Sequence, residues 1–202
     1  MTRKITLYGV GKTRSARPQW TLLELGLPFA FVDDGSMIGS DTLRALNPMA
    51  KLPAIVIDGQ ALFESAAICT HLCDLNPAAR LSFAAGSRER GLQDQWISFV
   101  LSELDAYLWS NAKHLSMYPE DKRVPAVVAR NNEELHTGLR VLAAHLEQSP
   151  YLVAERFSVT DIVTGWTVNW ARRMQHLAPY PALSVYLHRL FERPHCTLDQ
   201  EG

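Results

Sequence analysis

A two-layer α/β unit followed by a helical bundle is the architecture this sequence predicts, and three observations carry it. Up to Phe63, short apolar runs of strand length alternate with helical segments and are bounded by Gly, Pro, Asn and Asp. Leu75–Gly86 holds an Asn-Pro, two Ala-Ala pairs and a Gly without any period, and reads as a linker. Beyond it the apolar residues recur at helical spacing only. The expected division is a first domain over 1–76, a linker over 77–86 and an all-α domain over 87–202.

In order, Ile5–Val10 reads as a strand. Ala16–Leu25 reads as a helix with Trp20, Leu23 and Leu27 as a partial apolar stripe and Gly26 as its stop. Pro28–Val32 is a second strand, and a β-α-β order requires the two strands to be parallel with a right-handed crossover. Asp33–Ser40 is a polar loop, and Thr42–Leu46 a short helix ended by Asn47-Pro48. The stretch Asn47–Ala67, NPMAKLPAIVIDGQALFESAA, follows. Pro53 has no N–H for a ladder and belongs at a strand start. Ala54–Ile57 is a buried strand, Asp58-Gly59 a two-residue hairpin turn, and Glu64-Ser65 opens a helix with Ala67, Ile68 and Leu72 on one face.

In the second half, Trp96, Phe99, Val100, Leu104, Tyr107 and Leu108 mark one long helix. Leu135, Leu139, Leu142 and Leu146 mark a second. Ser158-Val-Thr-Asp161 has the form of a capping box, and Ile162, Val163, Trp166, Trp170 and Met174 stripe the helix behind it. Leu183, Leu187, Leu190 and Phe191 mark a last helix, closed by Arg193-Pro194.

Composition narrows the function classes. The 202 residues are 47% hydrophobic and 20% charged, an ordinary globular balance. A net charge of −1 gives no basic footprint for nucleic acid. No apolar stretch reaches membrane-spanning length, and the N-terminal apolar run is too short for a signal segment, so no membrane partner is expected. Cys69, Cys73 and Cys196 are odd in number and read as reduced thiols, which fits a cytoplasmic protein. His71 lies between Cys69 and Cys73, but positions i, i+2 and i+4 do not converge on one helix face, and no metal site is read there.

The stretch Asn47–Ala67 closely resembles the glutathione-binding half-motif of the glutathione S-transferase family. Phe157-Ser-Val-Thr-Asp161-Ile, Tyr180-Pro-Ala-Leu-x-x-Tyr186-Leu and Arg193-Pro194 resemble motifs of that family's helical domain, so the likeness spans nearly the whole chain. Val153-Ala-Glu-Arg156 departs from the pattern, which has a Gly-containing turn there. The resemblance implies an α+β fold: a thioredoxin-like N-terminal domain followed by an all-α helical bundle. It also implies a homodimer, glutathione as co-substrate without a metal, and transfer of glutathione to small hydrophobic electrophiles, as in detoxification. Relatives on the same fold are non-catalytic scaffold proteins or glutathione-dependent peroxidases, isomerases or dehalogenases.

Residue by residue, the resemblance implies a cis Leu52-Pro53 bond, with the Leu52 main chain pairing to the cysteinyl unit of glutathione as a strand edge does. Glu64 and Ser65 are implied to hold the γ-glutamyl end, where a helix N-terminus offers free N–H groups and partial positive charge. The other reading of that pair is a plain helix cap. Lys51 is a candidate for the glycyl carboxylate. The thiolate needs a donor after the first strand. Thr13 is favoured, because the loop before a helix start points donors at an anion. Tyr8 at the strand end is second, followed by Ser15, Arg14 as a nearby cation, and main-chain N–H groups. No Cys lies between Lys12 and Ala16, which argues against chemistry through a mixed disulfide on the protein. An electrophile pocket between the domains is implied, with Trp109, Asn111, His114 and Tyr118 as candidates.

Overall fold

The computed structural model describes residues 3–200. They fall into two compact units. One runs up to Ala84 and takes in the segment from Glu192 onward; the other is Ala85–Phe191.

The first unit is a four-stranded mixed sheet of β1 (Ile5–Gly9), β2 (Ala30–Asp33), β3 (Ala54–Ile57) and β4 (Gln60–Phe63), in the order β2-β1-β3-β4. β1 and β2 are parallel, as the intervening helix demands, and β1–β3 and β3–β4 are antiparallel. Helices α1 (Ala16–Glu24) and α3 (Ser65–Asp74) pack together, and the short α2 (Asp41–Arg44) precedes β3. Strand alternation sets the core: Ile5 and Leu7 of β1, Ile55 and Ile57 of β3, Leu22 of α1, and Ile68 and Leu72 of α3 form one buried cluster. Thr6 and Tyr8 take the alternate positions and stay half-buried. The predicted hairpin forms with Asp58 at φ 50° and Gly59 at φ 86°, both positive as a type I′ turn requires. The second strand begins two residues later than expected, at Ala30, because Leu27 through Phe29 are taken up in leaving the end of α1.

The segment from Glu192 follows the helical residues in the chain and clusters with the first unit. Its side chains explain this. Thr197 Oγ1 donates to the Ala16 carbonyl at 2.9 Å, Lys12 Nζ lies 3.1 Å from Asp199, and Leu198 is buried.

The second unit holds α4 (Arg88–Val100), α5 (Ala106–Ala112), α6 (Pro125–Leu146), α7 (Val159–Arg173) and α8 (Pro181–Phe191). The long first helix expected here forms, and its turns widen at two places. Over Leu101–Asp105 and again over Lys113–Met117 the turn widens, with Ala106 N–H bonding Leu101 O and Tyr118 N–H bonding Lys113 O. Such widened turns are inserted residues that re-aim a helix face. The first one meets α6 at Gly138, where an added Cβ would lie 2.9 Å from the Glu103 carbonyl and 2.7 Å from Leu104 Cδ2, so only glycine fits.

Helix α7 is not striped, as its Ile162–Met174 pattern suggested. Thr160, Asp161, Thr164, Thr167 and Asn169 are buried alongside Ile162, Val163 and Val168, whereas Trp166 and Trp170 are only half-buried. A helix covered nearly all round is central to its bundle. The turn before it is made without glycine. Ala154 and Glu155 both stand at φ 52°, and Val153 pairs with Arg156 across them.

Candidate functional site

The first loop, Val10–Ser15, is organised by hydroxyls. The Val10 N–H donates to Ser15 Oγ at 3.2 Å, and Ser15 Oγ lies 2.9 Å from Thr13 Oγ1. Thr13 Oγ1 in turn donates to the Val10 carbonyl at 2.7 Å. With the Ser15 hydroxyl donating, these bonds form a closed ring that starts and ends on Val10. Gly9 makes the ring possible, since a Cβ there would sit 2.6 Å from Ser15 Cβ.

The four candidates for the thiolate differ in burial and in their hydrogen bonds. Ser15 is fully buried inside the ring, whereas Thr13 is exposed. The Val10 carbonyl also accepts the Thr13 N–H at 3.0 Å, so it stays satisfied if the Thr13 hydroxyl swings away. Thr13 Oγ1 keeps its two acceptor contacts from Ser15, the hydroxyl at 2.9 Å and the N–H at 3.3 Å. A hydroxyl that accepts while it donates is polarised into a better donor. Tyr8 is half-buried on the sheet face opposite Ile5 and Leu7, in register with Ala54. Arg14 lies half-buried in the loop.

The Leu52–Pro53 bond is cis. Among the described residues, neither the N–H nor the C=O of Leu52 has a hydrogen-bond partner. The turn that presents it is pinned by Asn47, which the sequence reading treated only as a helix breaker. Asn47 is buried; its amide donates to the Lys51 carbonyl at 2.7 Å and accepts from the Met49 N–H at 3.0 Å. The turn also holds Ala50 at φ 48°. Lys51 itself is exposed.

Glu64 is the N-cap residue of α3. Glu64 makes no side-chain bond to the helix; it is exposed and held at φ 70°, ψ 108°, a sparsely populated conformation for a residue with a Cβ. Ser65 is buried, and its hydroxyl is engaged from behind by Arg17 Nη1 at 3.0 Å. Arg17 is fully buried in the second position of α1. That one bond brings the helix after the first loop and the Glu64-Ser65 pair together. Arg17 was missed in the sequence, although its spacing with Trp20, Thr21 and Glu24 places it on a buried face. Behind it, burial pushes the Cys69 thiol up to about 12, so this cysteine is no nucleophile.

The four pocket candidates lie in the second unit. Asn111 is buried and bonded to Asn131 and Asn132 at 2.9 and 2.8 Å. His114 Nδ1 accepts the Val124 N–H at 3.2 Å and meets the Tyr118 ring edge-on. Lys113 Nζ stands 5.9 Å from the Trp109 ring centre. Among the described residues there is no group of His, Cys, Asp and Glu that could hold a metal, and no helix is long and apolar enough to cross a membrane.

A mixed β2-β1-β3-β4 sheet with α1 and α3 packed together, followed by an all-helical unit, defines a thioredoxin-like domain joined to a helical domain. The chain belongs to the glutathione S-transferase family. Residues 12–80 match the model for its N-terminal domain and 125–189 the model for its C-terminal domain. It is 31% identical to the disulfide-bond oxidoreductase YfcG of Escherichia coli over 95% of this chain and 86% of that one. It is 30% identical to glutathione S-transferase GST-4.5 of Xanthomonas campestris over 81% of each. Among solved structures, a ternary complex of BphK, a bacterial GST, superposes with a TM-score of 0.84 at 29% identity over 95% of both chains. A sphingomonad glutathione S-transferase complexed with glutathione gives 0.83 at 27%, over 95% of this chain and 94% of that one.

Proposed function

We propose that this chain binds glutathione in its first unit and transfers it to small hydrophobic electrophiles. The observation that carries the reading is the state of Glu64 and Ser65. Neither side chain caps α3, and their strained, Arg17-braced arrangement leaves the helix N-terminus to an external carboxylate. Glu64 receives the ligand's ammonium, the Leu52 main chain pairs with the cysteinyl unit, and Lys51 faces the glycyl carboxylate. Thr13 turns its hydroxyl from Val10 to the sulfur, and Arg14 adds positive charge in the loop. A free thiol has a pKa near 8.5, and lowering it by about one unit, roughly 1.4 kcal/mol, makes thiolate plentiful at neutral pH. The thiol proton leaves to water. The sulfur then forms its bond to carbon as the leaving group departs with its electron pair, and no covalent intermediate forms on the protein. Trp109, Asn111, His114 and Tyr118 are the candidates for shaping electrophile choice. We place the protein in the cytoplasm as a homodimer; its three free cysteines support that compartment.

A second reading uses the same bound thiolate on sulfur instead of carbon, and the likeness to a disulfide-bond oxidoreductase favours it. There the thiolate displaces one sulfur of a disulfide as a thiolate, and a second glutathione resolves the mixed disulfide, leaving oxidised glutathione and two reduced thiols.

Calorimetry with glutathione and its S-methyl derivative tests the site. Binding of both is expected, with at least tenfold loss in Glu64→Ala and Ser65→Ala. Binding of neither by a folded sample would sink the proposal and favour a scaffold role. Product analysis with an aryl halide beside a small disulfide then separates carbon from sulfur chemistry.

A further inference from the structure

We propose that Arg17 is a positioning residue for the γ-glutamyl carboxylate, acting through Ser65; this rests on the glutathione reading above. A serine hydroxyl has one hydrogen and two lone pairs. With Arg17 Nη1 donating to Ser65 Oγ at 3.0 Å, one lone pair is filled from the protein side, and the hydroxyl hydrogen is left to point outward. Ser65 is the first residue of α3, so that hydrogen stands beside the unbonded N–H groups of the first helical turn. The fixed guanidinium behind it adds a full positive charge at the end of the helix that already carries partial positive charge.

The bracing is built in from both sides. Arg17 is fully buried, and its own carbonyl accepts the Thr21 hydroxyl at 3.0 Å, which fixes the turn of α1 that carries it. Ser65 is likewise buried, and Ile68 N–H bonds the Glu64 carbonyl at 2.9 Å, closing the first turn of α3 on the residue held at φ 70°. The same arginine sits two residues after Ser15, in the ring that holds Thr13. One side chain thereby sets the spacing between the sulfur end and the carboxylate end of the ligand. Arg17 touches neither reacting atom; its expected signature is selectivity for the carboxylate rather than a change in the chemical step.

The test compares glutathione with 4-aminobutyryl-cysteinylglycine, which lacks only the γ-glutamyl carboxylate, by calorimetry on wild type, Arg17→Lys, Arg17→Met and Ser65→Ala. In wild type, glutathione is expected to bind at least tenfold more tightly than the truncated peptide. That ratio should collapse to the same low value in Arg17→Met and Ser65→Ala, fall no further in the double variant, and be partly kept in Arg17→Lys. With electrophile in excess, KM for glutathione should rise in Arg17→Lys while kcat holds. Wild-type ratios in folded Arg17 variants would overturn the inference, and if Arg17→Met does not fold, Arg17→Lys alone decides. A wild-type chain that binds neither peptide would instead remove the glutathione reading on which the inference rests.

Discussion

Glu24 accepts two hydrogen bonds from Arg193, at 2.8 Å to each carboxylate oxygen, and joins the end of α1 to the segment that follows α8. Trp20 Nε1 adds a third at 2.9 Å. Burial raises the Glu24 pKa, but the bonds from Arg193 and Trp20 outweigh it and hold the carboxyl below its ordinary 4.5. A depressed folded pKa means stability that is present above the unfolded value and lost as pH falls through the folded one. Glu24→Gln should therefore cost about 1–3 kcal/mol at neutral pH. The gap to wild type should close as unfolding is measured from pH 5 downward. A gap independent of pH would show that the ion pair adds nothing.

At the first loop, Thr13→Val should raise the pKa of the bound glutathione thiol by about one unit, read from thiolate absorbance against pH, with slower conjugation below it. Thr13→Ser should restore most of the effect. Ser15→Ala should give a smaller rise, since it removes only the group that polarises Thr13. If Tyr8→Phe produces the shift and Thr13→Val does not, the donor is Tyr8.

Asp161 does more than cap α7. One oxygen accepts from Leu152 N–H at 3.0 Å and the Tyr186 hydroxyl at 3.1 Å; the other accepts the Ser158 N–H at 2.9 Å and its hydroxyl at 3.1 Å. An amide leaves two of those buried donors facing an NH2, so Asp161→Asn should cost about 3 kcal/mol, against about 1 for a lost cap. Burial pushes this carboxyl up to about 6. A folded pKa above the unfolded one favours folding at lower pH. The gap between wild type and Asp161→Asn should widen as pH drops from 6 toward 4, opposite to Glu24→Gln.

The turn before α7 holds two residues with side chains in the left-handed region, at about 1–2 kcal/mol each. Glu155 is exposed, so Glu155→Gly should stabilise the second unit by about 0.5–1 kcal/mol in urea titration. No gain would mean that the glycine's freedom in the unfolded chain cancels the relief.

The first unit was legible because its rules are local. Pro53 marked the strand start, Asp58-Gly59 the hairpin, and the β-α-β spacing the parallel pair. At the site, the sequence supplied the glutathione family, the cis Leu52–Pro53 bond and the hydroxyl-bearing loop. It did not supply Arg17 or Asn47, whose partners lie across the fold, nor the ring that puts Ser15 inside and Thr13 outside. The widened turns of the long helix were also hidden, because one extra residue in a turn leaves the apolar spacing nearly unchanged. The buried polar face of α7 escaped for the reverse reason: Thr and Asn do not count in an apolar pattern.

The segment from Glu192 returning to Glu24, Ala16 and Lys12 makes the first unit a discontinuous piece of chain. A ribosome elongates at about 5–20 residues per second and releases the N-terminal part first. The sheet can assemble early, but the contacts that lock α1 and its preceding loop arrive only after the whole helical unit has been made. During that interval, of about ten seconds, Glu24 and Lys12 lack the partners Arg193 and Asp199. Completion of the first unit therefore waits on residues that lie beyond the helical unit in the chain. A fragment stopped at the linker lacks the contacts that hold Lys12 and Ala16.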